Sequence, residues 1–169
     1  MKRRTRSREL ALQFLYQLDL LGDSMHKEAQ AFVDAEENDH EAARFALTLI
    51  DGVHSRRAEI DAVIQSVAQN WNISRMAVVD RNVLRLATWE LMHSDEVPPK
   101  VAVNEAIELG KRFSTQNSGA FVNGILDKIM NSRRLGTLDG TTAASELDLA
   151  DVELPEREGD EGAFNSEDL

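Results

Sequence analysis

The chain has 169 residues and is 42% hydrophobic, enough for one packed core with a tail. Cysteine is absent, which excludes disulfides, thiolate metal sites and cysteine nucleophiles. No run approaches the roughly 18 apolar residues that a membrane-spanning helix needs. The net charge of −11 argues against nucleic acid only until its distribution is counted: residues 135–169 hold eleven acids and one base, leaving nineteen acids and eighteen bases in residues 1–134. Lys2, Arg3, Arg4, Arg6 and Arg8 all precede the first acid, Glu9, so a basic start and an acidic tail share one chain. With no leader-like apolar segment, the chain is expected to be soluble and cytoplasmic.

From Thr5 to Leu21, Leu10, Phe14, Leu18 and Leu21 recur at helical spacing, and Gly22 is the expected stop. Residues 25–36 carry a weaker helical pattern on Met25, Ala29 and Phe32. Glu41 to Val53 gathers Phe45, Leu49 and Ile50, with Gly52 expected to loosen or end that helix, and His54 to Asn70 places Ile60, Val63, Ile64 and Val67 at helical spacing with Trp71. After a turn through Asn72 and Ser74, Arg75 to Ser94 has apolar residues around much of its circumference, the mark of a central helix. Pro98 and Pro99 interrupt it and suit the first turn of a helix reaching about Phe113. Ser114 to Gly119 reads as a polar loop with Ser118 as N-cap, and the last helix, Ala120 to about Arg134, buries Val122, Ile125, Leu126 and Ile129. Strand alternation and internal repeats are absent, so the expected fold is all-α, a bundle of six or seven helices. The helical domain is expected to span 1–134, and 135–169, acidic and without periodicity, is expected to be disordered.

The cationic start is the strongest physical signal. Side chains on an arm and first helical turn can neutralise phosphates and release counterions, which gives affinity without sequence choice; a merely solubilising terminus uses the same residues. Choice among RNA sequences needs unstacked bases laid on flat side chains and hydrogen-bonded by amides or carboxylates. Phe121 follows the polar stretch Gln116-Asn117-Ser118-Gly119, opens a helix whose N-terminus favours phosphate, and falls off the Val122, Ile125, Ile129 face. Spacing alone leaves it equally open to packing against Ile125. Trp71 with Arg75 and Tyr16 with Gln13 are secondary pairs, and Trp71 fits the core better at its spacing. The histidines His26, His40, His54 and His93 lack metal-ligand spacing, no glycine-rich phosphate loop occurs, and His93-Ser94-Asp95 holds the letters of a triad without its geometry. No metal, cofactor or catalytic role is expected. Carboxylates such as Asp80 and Glu108 default to solvated residues or ion pairs, Glu108 with Arg112 for instance, with a protein-docking face as the competing use.

Three blocks, Arg3 to Tyr16 (RRTRSRELALQFLY), Val79 to Leu91 (VDRNVLRLATWEL) and Pro98 to Leu109 (PPKVAVNEAIEL) running on to Phe121 to Lys128 (FVNGILDK), together resemble the NusB family of bacterial antitermination factors over about residues 3–131. The resemblance implies two small helical subdomains. It also implies that, with the ribosomal protein that acts as NusE, the chain binds the boxA element of nascent ribosomal RNA within the RNA polymerase antitermination complex. By position, Lys2, Arg3, Arg4, Arg6, Asn117, Ser118, Gly119 and Phe121 correspond to RNA-contacting residues. Asn123 adds a further amide, and Asp80, with Arg81 and Arg85 on the same helix, is implied to face the protein partner. The stretch Asn117-Ser118-Gly119-Ala120 departs from family members that often carry an acid or a larger side chain there, and the acidic tail lies outside the family pattern. Such a tail is expected either to compete with RNA for the basic start or to be an inert extension. Two alternatives stay open: an RNA-binding module serving a ribosomal RNA methyltransferase, and a helical adaptor that uses Asp80, Arg81 and Arg85 to bind protein alone.

Overall fold

The computed structural model describes residues 2–134; the acidic segment 135–169, expected to be disordered, lies outside the described residues. Among the described residues there are seven α-helices, two short 3₁₀ segments and no strand. The chain divides into two compact units, one running to Arg57 and the other from Ala58 onward.

In the first unit, α1 (Arg3–Leu21) ends at Gly22, whose φ of 98° suits a residue without a Cβ. Leu10, Phe14 and Leu18 are buried as their spacing predicts, but Leu21 is 64% exposed, because the helix stops before that turn can be covered. Residues 25–36 do not form one helix. A 3₁₀ segment, Asp23–Glu28, precedes α2 (Ala29–Glu36), and the 3₁₀ part buries no residue that would anchor a full α turn. The Phe14 and Phe32 rings meet at 5.4 Å. The next helix, α3 (His40–Ser55), starts at Asp39, whose carboxylate accepts the Glu41 and Ala42 N–H groups at 3.0 Å each. It runs straight through Gly52. An interior glycine costs about 1 kcal/mol, whereas each of the buried neighbours Leu49, Ile50 and Val53 contributes roughly 1.5–3 kcal/mol by leaving water.

The second unit holds α4 (Arg57–Val67), a 3₁₀ turn (Ile73–Arg75), α5 (Val78–His93), α6 (Pro99–Phe113) and α7 (Gln116–Arg134). Burial on α5 takes in Val79, Val83, Leu84, Leu86, Ala87 and Leu91 together with Asn82, Thr88 and Glu90, as expected of a central helix. Pro99 sits at the start of α6, where its missing N–H has no intrahelical partner to lose. Only Ser114 and Thr115 link α6 to α7, so the polar loop expected to reach Gly119 is instead mostly helix. The Thr115 N–H reaches the Ser118 hydroxyl at 3.3 Å, and the two side-chain hydroxyls lie 3.1 Å apart. This is one half of a capping box, built with serine: Thr115 precedes the helix and Ser118 is its third residue, and the helix starts four residues ahead of Ala120.

Candidate nucleic-acid interface

The basic start is the first turn of α1 rather than an arm, since Lys2 is extended and the helix begins at Arg3. That turn contains no acid, so the cations sit at the positive end of the helix dipole, an arrangement that costs stability and suits an anion. Lys2, Arg3 and Arg4 are exposed and Arg6 is half-buried. Arg3 Nε lies 3.0 Å from Asp39 Oδ2. The Arg6 guanidinium lies 3.6 Å from Glu9 Oε2 and 3.8 Å from Glu37 Oε2. Arg4 and Arg8 stand over the Phe45 ring at 4.7 and 5.4 Å, Arg8 itself being buried. The Ala42 N–H holds the Asp39 carboxyl below its usual value; burial opposes it, and Arg3 and the Glu41 N–H add to the lowering. An exposed pair such as Arg3 with Asp39 exchanges readily, so a phosphate can take the carboxylate's place. Arg6 is shared between two acids.

At the start of α7, Asn117 is exposed, while Ser118 and Gly119 are buried. Ser118 bonds inward. Its hydroxyl lies 2.9 Å from that of Ser114, and both bond the Asp80 carboxylate from the first turn of α5. A Cβ on Gly119 would come within 2.9 Å of the Lys111 stem, so that stem covers the glycine and keeps a cation over the helix start. Asn123 is exposed, about a third of a turn round the helix from Asn117. Phe121 does not offer its ring to a base: it is 3% exposed and packs against Trp71, ring centroids 6.3 Å apart and planes at 59°. The capping box explains this, because starting the helix at Gln116 turns Phe121 inward with Val122 and Ile125.

Of the three residues expected to face a protein partner, two have buried side chains. Asp80 is 7% exposed, and burial raises its pKa against the opposing Ser118 and Ser114 hydrogen bonds; its Oδ1 has no hydrogen-bond partner. Arg85, also 7% exposed, makes a two-pronged ion pair with Asp61 of α4, Nε to Oδ1 at 2.8 Å and Nη2 to Oδ2 at 3.0 Å. Both side chains therefore tie helices together. Arg81 is half-buried, with Nη1 3.4 Å from the Ser74 carbonyl, and alone of the three reaches the surface.

The model of the NusB family matches residues 5–131. The chain belongs to the NusB family. It is 49% identical over 128 residues to the transcription antitermination protein NusB of Anaeromyxobacter dehalogenans strain 2CP-1, covering 75% of this chain and 89% of that protein. It is 44% identical over 131 residues to the NusB of Myxococcus xanthus, covering 75% and 93%. Among solved structures, T. maritima NusB superposes with a TM-score of 0.70 at 38% identity, over 78% of this chain and 92% of that one. A chain from a crystal structure of antitermination factors NusB and NusE in complex with dsRNA gives 0.70 at 28% identity, over 78% and 98%.

On this NusB scaffold, reading the residues in order missed Lys111, the Asp80–Ser114–Ser118 cluster and the acids that answer the arginines. The spacing Thr115-Gln116-Asn117-Ser118 carried the signal for the first two, since a capping box brings its third helical residue back to the cap. Arg112, expected to pair with Glu108, stands 5.3 Å over the Phe113 ring, and Lys111 lies 3.7 Å from Glu108. The His26 and His54 rings stack at 4.2 Å, yet no group of three or more histidine or acidic side chains among the described residues is placed to hold a metal ion. No described helix is long and apolar enough to cross a membrane.

Proposed function

We propose that this chain is a transcription antitermination factor without catalysis of its own. It acts in the cytoplasm, binding boxA-type single-stranded RNA of nascent ribosomal transcripts together with a NusE-type ribosomal protein in the RNA polymerase antitermination complex. The observation that carries this reading is the family match over residues 5–131, with relatives that are named as antitermination proteins. Similarity to the chain seen with NusE and RNA supports the two partners. In the first unit, Lys2, Arg3 and Arg4 neutralise phosphates and Arg6 contributes once it leaves Glu9 and Glu37; in the second unit, Lys111 adds charge at the α7 start. Asn117 and Asn123 supply amides to base edges, while Ser118, Gly119 and Phe121 shape the surface from beneath. Arg81 is the partner-facing residue, with Asp80 and Arg85 fixing the helix that carries it.

The test is binding of a labelled boxA-like RNA and a scrambled control, with and without the NusE-type protein, across a salt series. The reading expects the partner to sharpen discrimination between the two RNAs. Equal affinity for both, with a steep salt slope that the partner leaves unchanged, overturns it in favour of a non-specific electrostatic surface.

A further inference from the structure

The connection between α4 and α5 borders an open groove of about 620 Å³ lined by Gln65, Gln69, Asn70, Trp71, Asn72 and Arg75. Among the described residues its lining consists of four amides, one indole and one guanidinium, with neither a carboxylate nor an aliphatic side chain. Gln65 holds the turn beneath: its Nε2 donates to the Ala68 and Trp71 carbonyls at 3.0 Å each, and its Oε1 accepts the Ile73 N–H at 3.0 Å. Asn72 Oδ1 accepts the Ser74 N–H at 3.0 Å and its hydroxyl at 2.8 Å. Five side-chain hydrogen bonds thus fix a segment that carries little regular structure, and Trp71 is held half-exposed with the buried Phe121 ring behind it.

We propose that this groove is a nucleotide subsite, in which one unstacked RNA base lies on the Trp71 indole, Asn70, Asn72 or Gln69 amides reach its edge, and Arg75 meets its phosphate. The inference rests on the RNA-binding reading above and adds to it a stacking surface that reading lacks, now that Phe121 is buried. Stacking on a flat ring with amides at the base edge is the chemistry by which proteins select single-stranded RNA, and the described lining contains that chemistry. A guanidinium beside the ring supplies the phosphate contact. Phe121 is then a positioning residue, acting through Trp71. The absence of carboxylates disfavours a basic peptide as the occupant, and the absence of aliphatic side chains disfavours an apolar one.

The chain has two tryptophans and one tyrosine, so Trp89→Phe leaves Trp71 as the only tryptophan, which can be excited selectively over Tyr16. In the full-length chain, titration with a short boxA-like single strand should quench that fluorescence, and a duplex of the same sequence, whose bases stay stacked, should not. Trp71→Leu keeps an apolar side chain against Phe121 but removes the π face; it should weaken the single strand about tenfold, with the salt slope unchanged, and Trp71→Phe should restore most of the loss. Circular dichroism confirms that each variant is folded. If Trp71→Leu binds as well as the parent while Lys2→Gln and Arg4→Gln weaken binding, RNA is held elsewhere and the subsite falls although the RNA-binding reading stands. If the parent chain with its NusE-type partner binds none of these RNAs, both readings fall together.

Discussion

The first turn of α1 and the turn between α4 and α5 solve different halves of the same problem. The α1 turn concentrates charge: Lys2, Arg3 and Arg4 are exposed at one helix end. The α4–α5 turn has shape with a single charge among its described lining residues, Arg75, beside amides and an indole on a segment fixed by side-chain hydrogen bonds from Gln65. Charge gives affinity that salt removes, whereas a held ring selects unstacked bases and the amides beside it can choose among them, with little dependence on salt. Each half can therefore be broken separately.

The largest effect is expected at Phe121, where the RNA-contacting role implied by the resemblance and the core role seen in the fold make opposite predictions. Truncating a buried phenylalanine costs about 3–5 kcal/mol, so Phe121→Ala should lower the midpoint of chemical denaturation sharply, and Phe121→Leu much less. A Phe121→Ala chain of full stability that no longer discriminates between RNAs would return the stacking surface to Phe121. Next in size is Arg4→Gln, which should weaken boxA-like and scrambled RNA alike and flatten the plot of log affinity against log salt by about 0.7 for each phosphate left without its cation. Arg6→Gln should change that slope less, because Glu9 and Glu37 already neutralise Arg6. An equal change would mean that Arg6 releases both acids to bind RNA.

The helices were legible because their buried faces are long. Leu10, Phe14 and Leu18 on α1 and Val122, Ile125, Leu126 and Ile129 on α7 sit at the predicted spacing and are buried. Helix ends were less legible, because an end depends on a cap a few residues away: Gly22 stopped α1 as expected, Gly52 did not stop α3, and Ser118 proved to be the third residue of its helix rather than the cap. At the interface, residue types were readable and their partners were not. Arg3 is answered by Asp39 and Arg85 by Asp61, pairings across 36 and 24 positions that no periodicity reports. Trp71 and Phe121 were both visible as aromatic candidates, but which ring stands in front was set by the helix start, and the order came out reversed.

Two carboxylates extend the comparison of the units to pH, with opposite signs. Asp39 in the first unit has a lowered pKa because the Ala42 N–H and Arg3 favour its charged form; that stabilisation is present above the ordinary value of 3.8 and is lost as pH falls through the lowered one. Asp80 in the second unit has a raised pKa because burial disfavours its charge; its contribution is full below 3.8 and is lost as pH rises through the raised value. Acidification toward pH 4 should therefore tighten the second unit before it loosens the first, an order that hydrogen exchange of α5 and α3 peptides can follow. Asp80→Asn isolates the second effect. The amide oxygen still accepts from Ser114 or Ser118 while the buried charge is gone, so the variant should melt no lower than the parent at pH 7, and the two should converge as pH falls below 4. A variant that melts well below the parent at neutral pH and recovers none of the difference in acid would mean that the Asp80 charge itself holds the α6–α7 link, and that Lys111 or another cation answers it.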